Sequence, residues 1–189
     1  MSRTQNNLFI ISGPSAVGKN TVIDGVKKLI PELKETISCT TRQKRPDEKN
    51  KVHYHFLSKK EFEQKIKNNE FLEYFEVYGK YYGTLKSEID HIIKNNHIPL
   101  IVIDVQGALY VKKNNPNAVL IFIKPDSLET LEKRLHARNT NSAELKIRLK
   151  NAKNELAQAR FYDYKIINIQ GKLNKTIQEV ADIIQKNRS

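Results

Sequence analysis

The chain has 189 residues, of which 39% are hydrophobic, 29% are charged and a single one is cysteine. That size and composition suit one compact α/β domain with a real core. They exclude a disulfide framework within the chain, and no apolar run reaches the length of a membrane span. The formal net charge of +12 invites a nucleic-acid partner. No aromatic-plus-basic nucleic-acid module accompanies it, and a basic cleft serves small anionic substrates equally well.

Leu8-Phe9-Ile10-Ile11 is a short run of bulky apolar residues and predicts a buried strand. GPSAVGKNT follows, then an amphipathic helix from Thr21 to Ile30 that stops at Pro31. Thr36-Ile37-Ser38 predicts a second short strand, and Arg42 to Lys51 is a polar loop crowded with cations. From Val52 to Tyr82 the chain is dense in Tyr and Phe. VHYHF alternates as a strand, SKKEFEQKIKNN reads as a short helix capped by Ser58, and EFLEYFEVYGKYYG reads as a hairpin turning at Gly79. This stretch is expected to form an inserted β-rich subdomain.

Helix and strand then alternate again. Lys86 to Asn95 is helical, Leu100 to Ile103 is a buried strand ending at Asp104, and Gln106 to Lys113 is helical. Ala118 to Ile123 is a third buried strand, and Ser127 to Arg138 a helix with Ser127 as cap. Asn139 to Ser142 is a turn, and Ala143 to Arg160 a long charged helix. Lys165 to Ile169 is a last strand and Leu173 to Lys186 a last helix. Such alternation predicts right-handed crossovers and a parallel sheet. The charged helix pair, with little apolar patterning, reads as a mobile lid rather than core. MSRTQNNLF has no apolar signal core, so a soluble cytoplasmic protein without a membrane or nucleic-acid partner is expected.

The chemistry centres on Gly13-Pro14-Ser15-Ala16-Val17-Gly18-Lys19-Asn20, which matches G-x-x-x-x-G-K-[ST] except at its last position. Its glycines let backbone N–H groups turn around phosphate oxygens at a helix N-terminus, and Lys19 would reach the β- and γ-phosphates. Asn20 replaces the hydroxyl that usually touches Mg²⁺, although an amide oxygen also ligates a hard cation, directly or through water. Thr21 follows at the start of the helix. Asp104, at the mouth of the sheet, could hold Mg²⁺ through water. Cations cluster twice: Arg42 with Arg45, and Arg134 with Arg138 and Arg148. Two clusters suggest two phosphate-bearing ligands, a donor and an acceptor.

Glu73 stands within FLEYFEV, where a charge among large apolar groups needs a partner. Tyr54, Tyr78, Tyr81 and Tyr82 suit a half-buried sheet face. His53 and His55 share one side of the expected strand but lack a Cys or carboxylate set, so no metal site is expected there. Cys39 reads as a small buried residue.

These segments resemble the bacterial guanylate kinases over nearly the whole length, from about Leu8 to the last helix. GPSAVGKNT, SCTTRQKRP, HYHF, NNEFLEY, YYGT, IDVQGA, KRLHAR, IRL and YKIIN carry the resemblance. It implies an α/β fold with a P-loop parallel-sheet core (residues 7–37, 86–126 and 161–189), a GMP-binding insert (38–85) and a lid (about 127–160). It implies transfer of a phosphoryl group from ATP to GMP with Mg²⁺. Arg42, Arg45, Tyr54 and Tyr82 would then hold the GMP phosphate, Glu73 would read the guanine edge, and Ser38 and Thr84 would contact the base. Residues Gly13 to Thr21 with Arg134 would hold ATP. Lys19, Arg42, Arg138 and Arg148 would surround the transferring group, and Asp104 would lie near both GMP and Mg²⁺.

The chain departs from the family's pattern at Ala16, at Asn20 and at Val102, where many relatives have an acid. The stretch from Arg138 to Arg148 is also one residue shorter than in some relatives. Two other readings are a non-catalytic protein-binding module of the same fold and a kinase acting on a ribose bisphosphate. Lys19 counts against the first, Glu73 and Thr84 against the second.

Overall fold

A computed structural model describes residues 8–77, 79–137 and 142–188. In chain order the elements begin with β1 (Phe9–Ser12), α1 (Lys19–Leu29), β2 (Leu33–Glu35), β3 (Cys39–Thr40), β4 (His55–Phe56), α2 (Lys59–Lys67), β5 (Phe71–Val77) and β6 (Lys80–Leu85). They continue with α3 (Lys86–Lys94), β7 (Ile98–Val102), α4 (Val105–Asn114), β8 (Val119–Pro125), α5 (Leu128–His136), α6 (Ser142–Gln158), a 3-10 turn at Ala159–Phe161, β9 (Tyr164–Asn168) and α7 (Leu173–Asn187).

Five strands form one parallel sheet in the order β2-β7-β1-β8-β9, with β1 at its centre. Alternate residues of the central strands feed opposite cores, as strand geometry requires. Phe9 and Ile11 of β1, with Ile121 and Ile123 of β8, pack against Val22 and Val26 of α1 and Val180 and Ile184 of α7. Ile10, Ile101, Leu120 and Phe122 face the other way and pack against Val105, Ala108 and Val111 of α4. Helices thus cover both faces, which is why these strands read as continuous apolar runs.

The remaining strands form a second sheet in the order β4-β3-β6-β5, mostly antiparallel. Its own small core comprises Cys39, Phe62, Phe71 and Leu85. Phe62 of α2 is stacked between Phe71 and Tyr81, at ring separations of 4.3 and 5.2 Å. Ser58 caps α2 with a full capping box, and Gly79 turns the hairpin at φ 71°.

Four sequence expectations need correction. The second strand is Leu33–Glu35 and not Thr36–Ser38, because Leu33 is the residue that reaches the core while β2 pairs with the start of β7. Within VHYHF only His55 and Phe56 form a strand; Lys51, at φ 60°, turns the chain and leaves Val52 exposed. The strand before Asp104 ends at Val102, which frees Asp104 to cap α4 by accepting the Gly107 N–H at 2.8 Å. The charged helices do carry an apolar stripe: Leu131 and Leu135 of α5 and Leu145 and Ala152 of α6 join the core of α1 and α7. The turn expected at 139–141 lies outside the described residues.

Because the second sheet has a separate core, Phe62→Ala is expected to destabilise by about 3–5 kcal/mol and to act locally. Hydrogen exchange should show protection lost first in residues 39–85, with β1, β7 and β8 still protected. Uniform loss across both sheets would contradict a separable core.

Candidate active site

The segment between β1 and α1 is shaped by what its backbone must avoid. Gly13 lies at φ 152°, and a Cβ there would sit 2.2 Å from the Ile123 carbonyl oxygen, so only glycine lets the chain pass the end of β8. Ala16 adopts φ 64°, a left-handed conformation that costs a residue with a Cβ about 1 kcal/mol. Gly18, at φ 98°, opens α1 without a side-chain cap, and no acid stands in the first turn. By contrast Ser58, Asp104 and Ser127 cap α2, α4 and α5. The N-terminus of α1 is therefore left electropositive and open to an anion.

Distant residues converge on this loop. Lys19 Nζ donates to the carbonyls of Gly13 at 2.5 Å and Pro14 at 3.1 Å, lying across the loop's mouth. The Val17 carbonyl accepts from Arg134 Nη1 at 2.9 Å and from Asn168 Nδ2 at 2.8 Å. Arg148 Nη1 donates to Ser15 Oγ at 2.9 Å, while Glu144 Oε1 accepts from its Nε and Nη2. Ser12 Oγ donates to the Ile103 carbonyl at 2.8 Å and ties the end of β1 to the residue before Asp104.

Two cavities meet at the loop. The first, about 410 Å³, is lined by Gly13, Ser15 and Lys19, by Val102, Ile103 and Asp104, by Glu155 of α6, and by Ser38, Tyr54, Glu73, Phe75, Val77, Tyr82 and Gly83 of the second sheet's region. The second, about 400 Å³, lies against Ala16, Gly18 and Thr21 and is walled by Arg134, Ala137, Asn168, Ile169, Gln170, Gly171 and Leu173.

Glu73 dominates the first cavity. It is 4% exposed, and its Oε1 accepts no hydrogen bond; the neighbouring Thr84 Oγ1, opposite it in the β5–β6 register, is likewise buried without a partner. Burial pushes the Glu73 carboxyl up to about 7, with the neighbouring Thr84 pulling it back and the Asp104 charge adding to the rise. Glu155 is also pushed upward by burial, with the Lys19 ammonium pulling it back. A buried carboxylate oxygen and a hydroxyl without partners are uncommon and mark a place where a ligand can supply hydrogen bonds.

Arg42 does not line this cavity but lies over Tyr54, which does. Its guanidinium lies 5.6 Å from the Tyr54 ring centre and is paired with Glu48. Arg42 Nη2 donates to Oε1 at 2.6 Å, and Nη1 to Oε2 at 3.0 Å. That guanidinium and the Arg45 backbone N–H hold the Glu48 carboxyl down to about 2. Arg45 is exposed nearby.

The fold thus brings Gly13, Ser15, Lys19, Ser38, Tyr54, Glu73, Tyr82 and Asp104 into one cavity, and Ala16, Gly18, Thr21 and Arg134 into the other. Pro14 and Val17 are buried within the loop, and Thr84, opposite Glu73 in the β5–β6 register, lines neither cavity. Asn20 is exposed on α1 and lines neither cavity. Arg138 lies outside the described residues, as does Tyr78. His53 and His55 do not share a face: His53 Nδ1 accepts from the Lys49 N–H, and His55 Nε2 pairs with Glu88 at 2.8 Å. Cys39 is buried, and its thiol is pushed up to about 12, as an inert core residue should be. Sequence reasoning missed Glu155, whose only signal is its place two helical turns after Arg148, and Asn168 and Glu48, which carry none.

The sequence matches the family described as "Guanylate kinase" over residues 5–187. It is 44% identical to a guanylate kinase of Fusobacterium nucleatum subsp. nucleatum, with 94% of this chain and 95% of that one covered. It is 41% identical to a guanylate kinase of Oceanobacillus iheyensis, covering 98% of this chain and 89% of that one. The crystal structure of guanylate kinase from Anaplasma phagocytophilum superposes with a TM-score of 0.77 at 28% identity, covering 100% of this chain and 89% of that chain.

Burial of Glu73 carries a measurable cost. A carboxyl raised from 4.5 to about 7 on folding contributes stability that is full below its unfolded value and lost as pH rises through its folded one. The loss is on the order of 3 kcal/mol by pH 8. Glu73→Gln is therefore expected to raise Tm by a few degrees at pH 8, with the gain vanishing toward pH 4.5. A Tm equal to or below that of the parent at pH 8 would contradict an unpartnered buried charge.

Proposed function

The chain belongs to the guanylate kinase family, and from that premise we propose how its residues carry phosphoryl transfer from ATP to GMP, giving ADP and GDP. The observation that supports the acceptor assignment is the buried Glu73 carboxylate, whose Oε1 lacks a partner, in the same cavity as Lys19 and Asp104. Guanine presents N1–H and N2–H₂ donors side by side, and one carboxylate accepts both. Thr84 and Ser38 supply hydroxyls at the same base. Adenine has no N1–H donor and would leave Glu73 unpaired, worth roughly 10²-fold or more in discrimination.

The GMP phosphate is assigned to Arg42, Arg45, Tyr54 and Tyr82, of which the two tyrosines line the same cavity as Glu73. ATP is assigned to the loop from Gly13 to Thr21 and to the second cavity, with Arg134 beside its phosphates. Lys19 exchanges the Gly13 and Pro14 carbonyls for phosphate oxygens. Arg148, already at Ser15, and Arg138 neutralise charge that develops on the transferring group. No general base is needed, because a phosphate monoester is mostly ionised near neutral pH and is itself the nucleophile. Catalysis is then alignment and charge neutralisation, with α5, α6 and the second sheet's region excluding water.

Of the two oxygen donors expected to reach Mg²⁺, the Asp104 carboxylate lines the cavity with Lys19 and would hold the ion, through water, while the Asn20 amide is exposed on α1 and lines neither cavity. A cation held chiefly by phosphate oxygens and water suits such a site. When bound, Mg²⁺ supplies charge neutralisation on the phosphate oxygens. No helix among the described residues is long and apolar enough to cross a membrane.

A coupled assay of ADP formation from Mg·ATP, with GMP, AMP, UMP and ribose 1,5-bisphosphate offered separately, tests the assignment. GMP should turn over and AMP should lag by about 10²-fold or more. Lys19→Ala should abolish turnover in a folded protein. The kcat/KM for GMP should fall as pH drops below about 7, because protonated Glu73 no longer accepts two donors. Turnover of another acceptor in preference to GMP would overturn the base-recognition reading. Phosphopeptide binding without turnover would favour the binding-module reading.

A further inference from the structure

Arg42 is held from within the chain. Its Nη1 and Nη2 donate to the two oxygens of Glu48, and Nη1 also donates to the Gln43 carbonyl at 2.7 Å. The Arg45 backbone N–H donates to Glu48 Oε2 at 2.8 Å. One carboxylate therefore closes the loop from Arg42 to Glu48 and grips both arginines, one by its side chain and one by its backbone. The two side chains of the pair are only 19% and 11% exposed, so water competes weakly for these bonds.

A guanidinium offers two edges for paired hydrogen bonds, Nη1/Nη2 and Nε/Nη2. Glu48 occupies the first. The second is not engaged by Glu48; the guanidinium lies over Tyr54 and within hydrogen-bonding reach of the Tyr82 hydroxyl, and both tyrosines line the first cavity. Two effects of Glu48 then oppose each other. Its charge weakens the attraction of Arg42 for a phosphate. Its bonds fix a side chain that otherwise loses much rotamer freedom on binding, and they keep Arg42 and Arg45 together against their mutual repulsion. A competitor would occupy the phosphate's own edge. Glu48 occupies the other one and is tied to the backbone, so ordering prevails.

We propose that Glu48 is a positioning residue for the acceptor: it clamps one edge of Arg42 and presents the other to the phosphate of the nucleoside monophosphate. This rests on the assignment of Arg42 to that phosphate. Steady-state kinetics with each substrate varied in turn tests it. Glu48→Gln should raise KM for GMP about tenfold while KM for ATP stays within about twofold. Glu48→Asp should recover part of the loss, and Glu48→Gln should add nothing in an Arg42→Ala background, as coupled residues require. An unchanged or lowered KM for GMP in Glu48→Gln overturns the proposal. If that variant does not fold, Glu48→Asp carries the same comparison, and an unaltered KM for GMP there overturns it equally. If Arg42→Ala alone leaves KM for GMP unchanged, the phosphate assignment fails as well. Raised KM in Arg42→Ala with a silent Glu48→Gln removes only the role given to Glu48.

Discussion

A carboxylate taken out of water needs donors, and Glu73 finds too few in its own chain. It is 4% exposed, on a strand flanked by Leu72 and Tyr74, with Thr84 opposite it and Asp104 adding like charge across the cavity. The buried amide of Asn168, by contrast, has its needs met locally, donating to the Val17 carbonyl and accepting from Thr176 Oγ1. The missing donors at Glu73 match what guanine carries on one edge. On the proposed reading the same group would account both for selectivity and for a stability cost that a ligand relieves. Function here is stored as an unfavourable burial.

The second dependency is the end of β1. Every residue of β1 is buried, so the strand is fixed from both faces of the sheet and delivers the loop to one place. Gly13 passes beneath the Ile123 carbonyl, and Gly18 opens a helix with no cap of its own. An anion is the group such an N-terminus lacks. Both cavities share this loop, one against Gly13, Ser15 and Lys19 and the other against Ala16, Gly18 and Thr21. That shared loop is what supports the proposal that two phosphate-bearing substrates meet there, as phosphoryl transfer requires.

Much of this was legible in the sequence, for identifiable reasons. Leu8-Phe9-Ile10-Ile11 ahead of GPSAVGK announces strand, loop and helix because each of its parts has a local cause. Glu73 stood out because a charge amid FLEYFEV contradicts its surroundings. The order of strands did not follow from the chain, since β1 lies between β7 and β8 only once distant helices are packed. The strand at Leu33–Glu35 escaped notice because only Leu33 of its three residues is buried, and an edge strand of that length has no periodicity to read. The α5 and α6 pair looked fully solvated because charges mask the stripe of Leu131, Leu135, Leu145 and Ala152. Glu155 and Glu48 were invisible for a different reason: each gains meaning only from the cation the fold sets beside it.

The central claim is that Glu73 sits partly protonated in the free protein and gives up that proton to accept the donors of guanine. Isothermal titration calorimetry of GMP binding at pH 7, repeated in buffers of different ionisation enthalpy, counts the protons released. The account predicts release of about half a proton at pH 7, falling toward zero by pH 8.5 and largely abolished in Glu73→Gln. Binding without proton release at pH 7, or release that Glu73→Gln leaves intact, would contradict it.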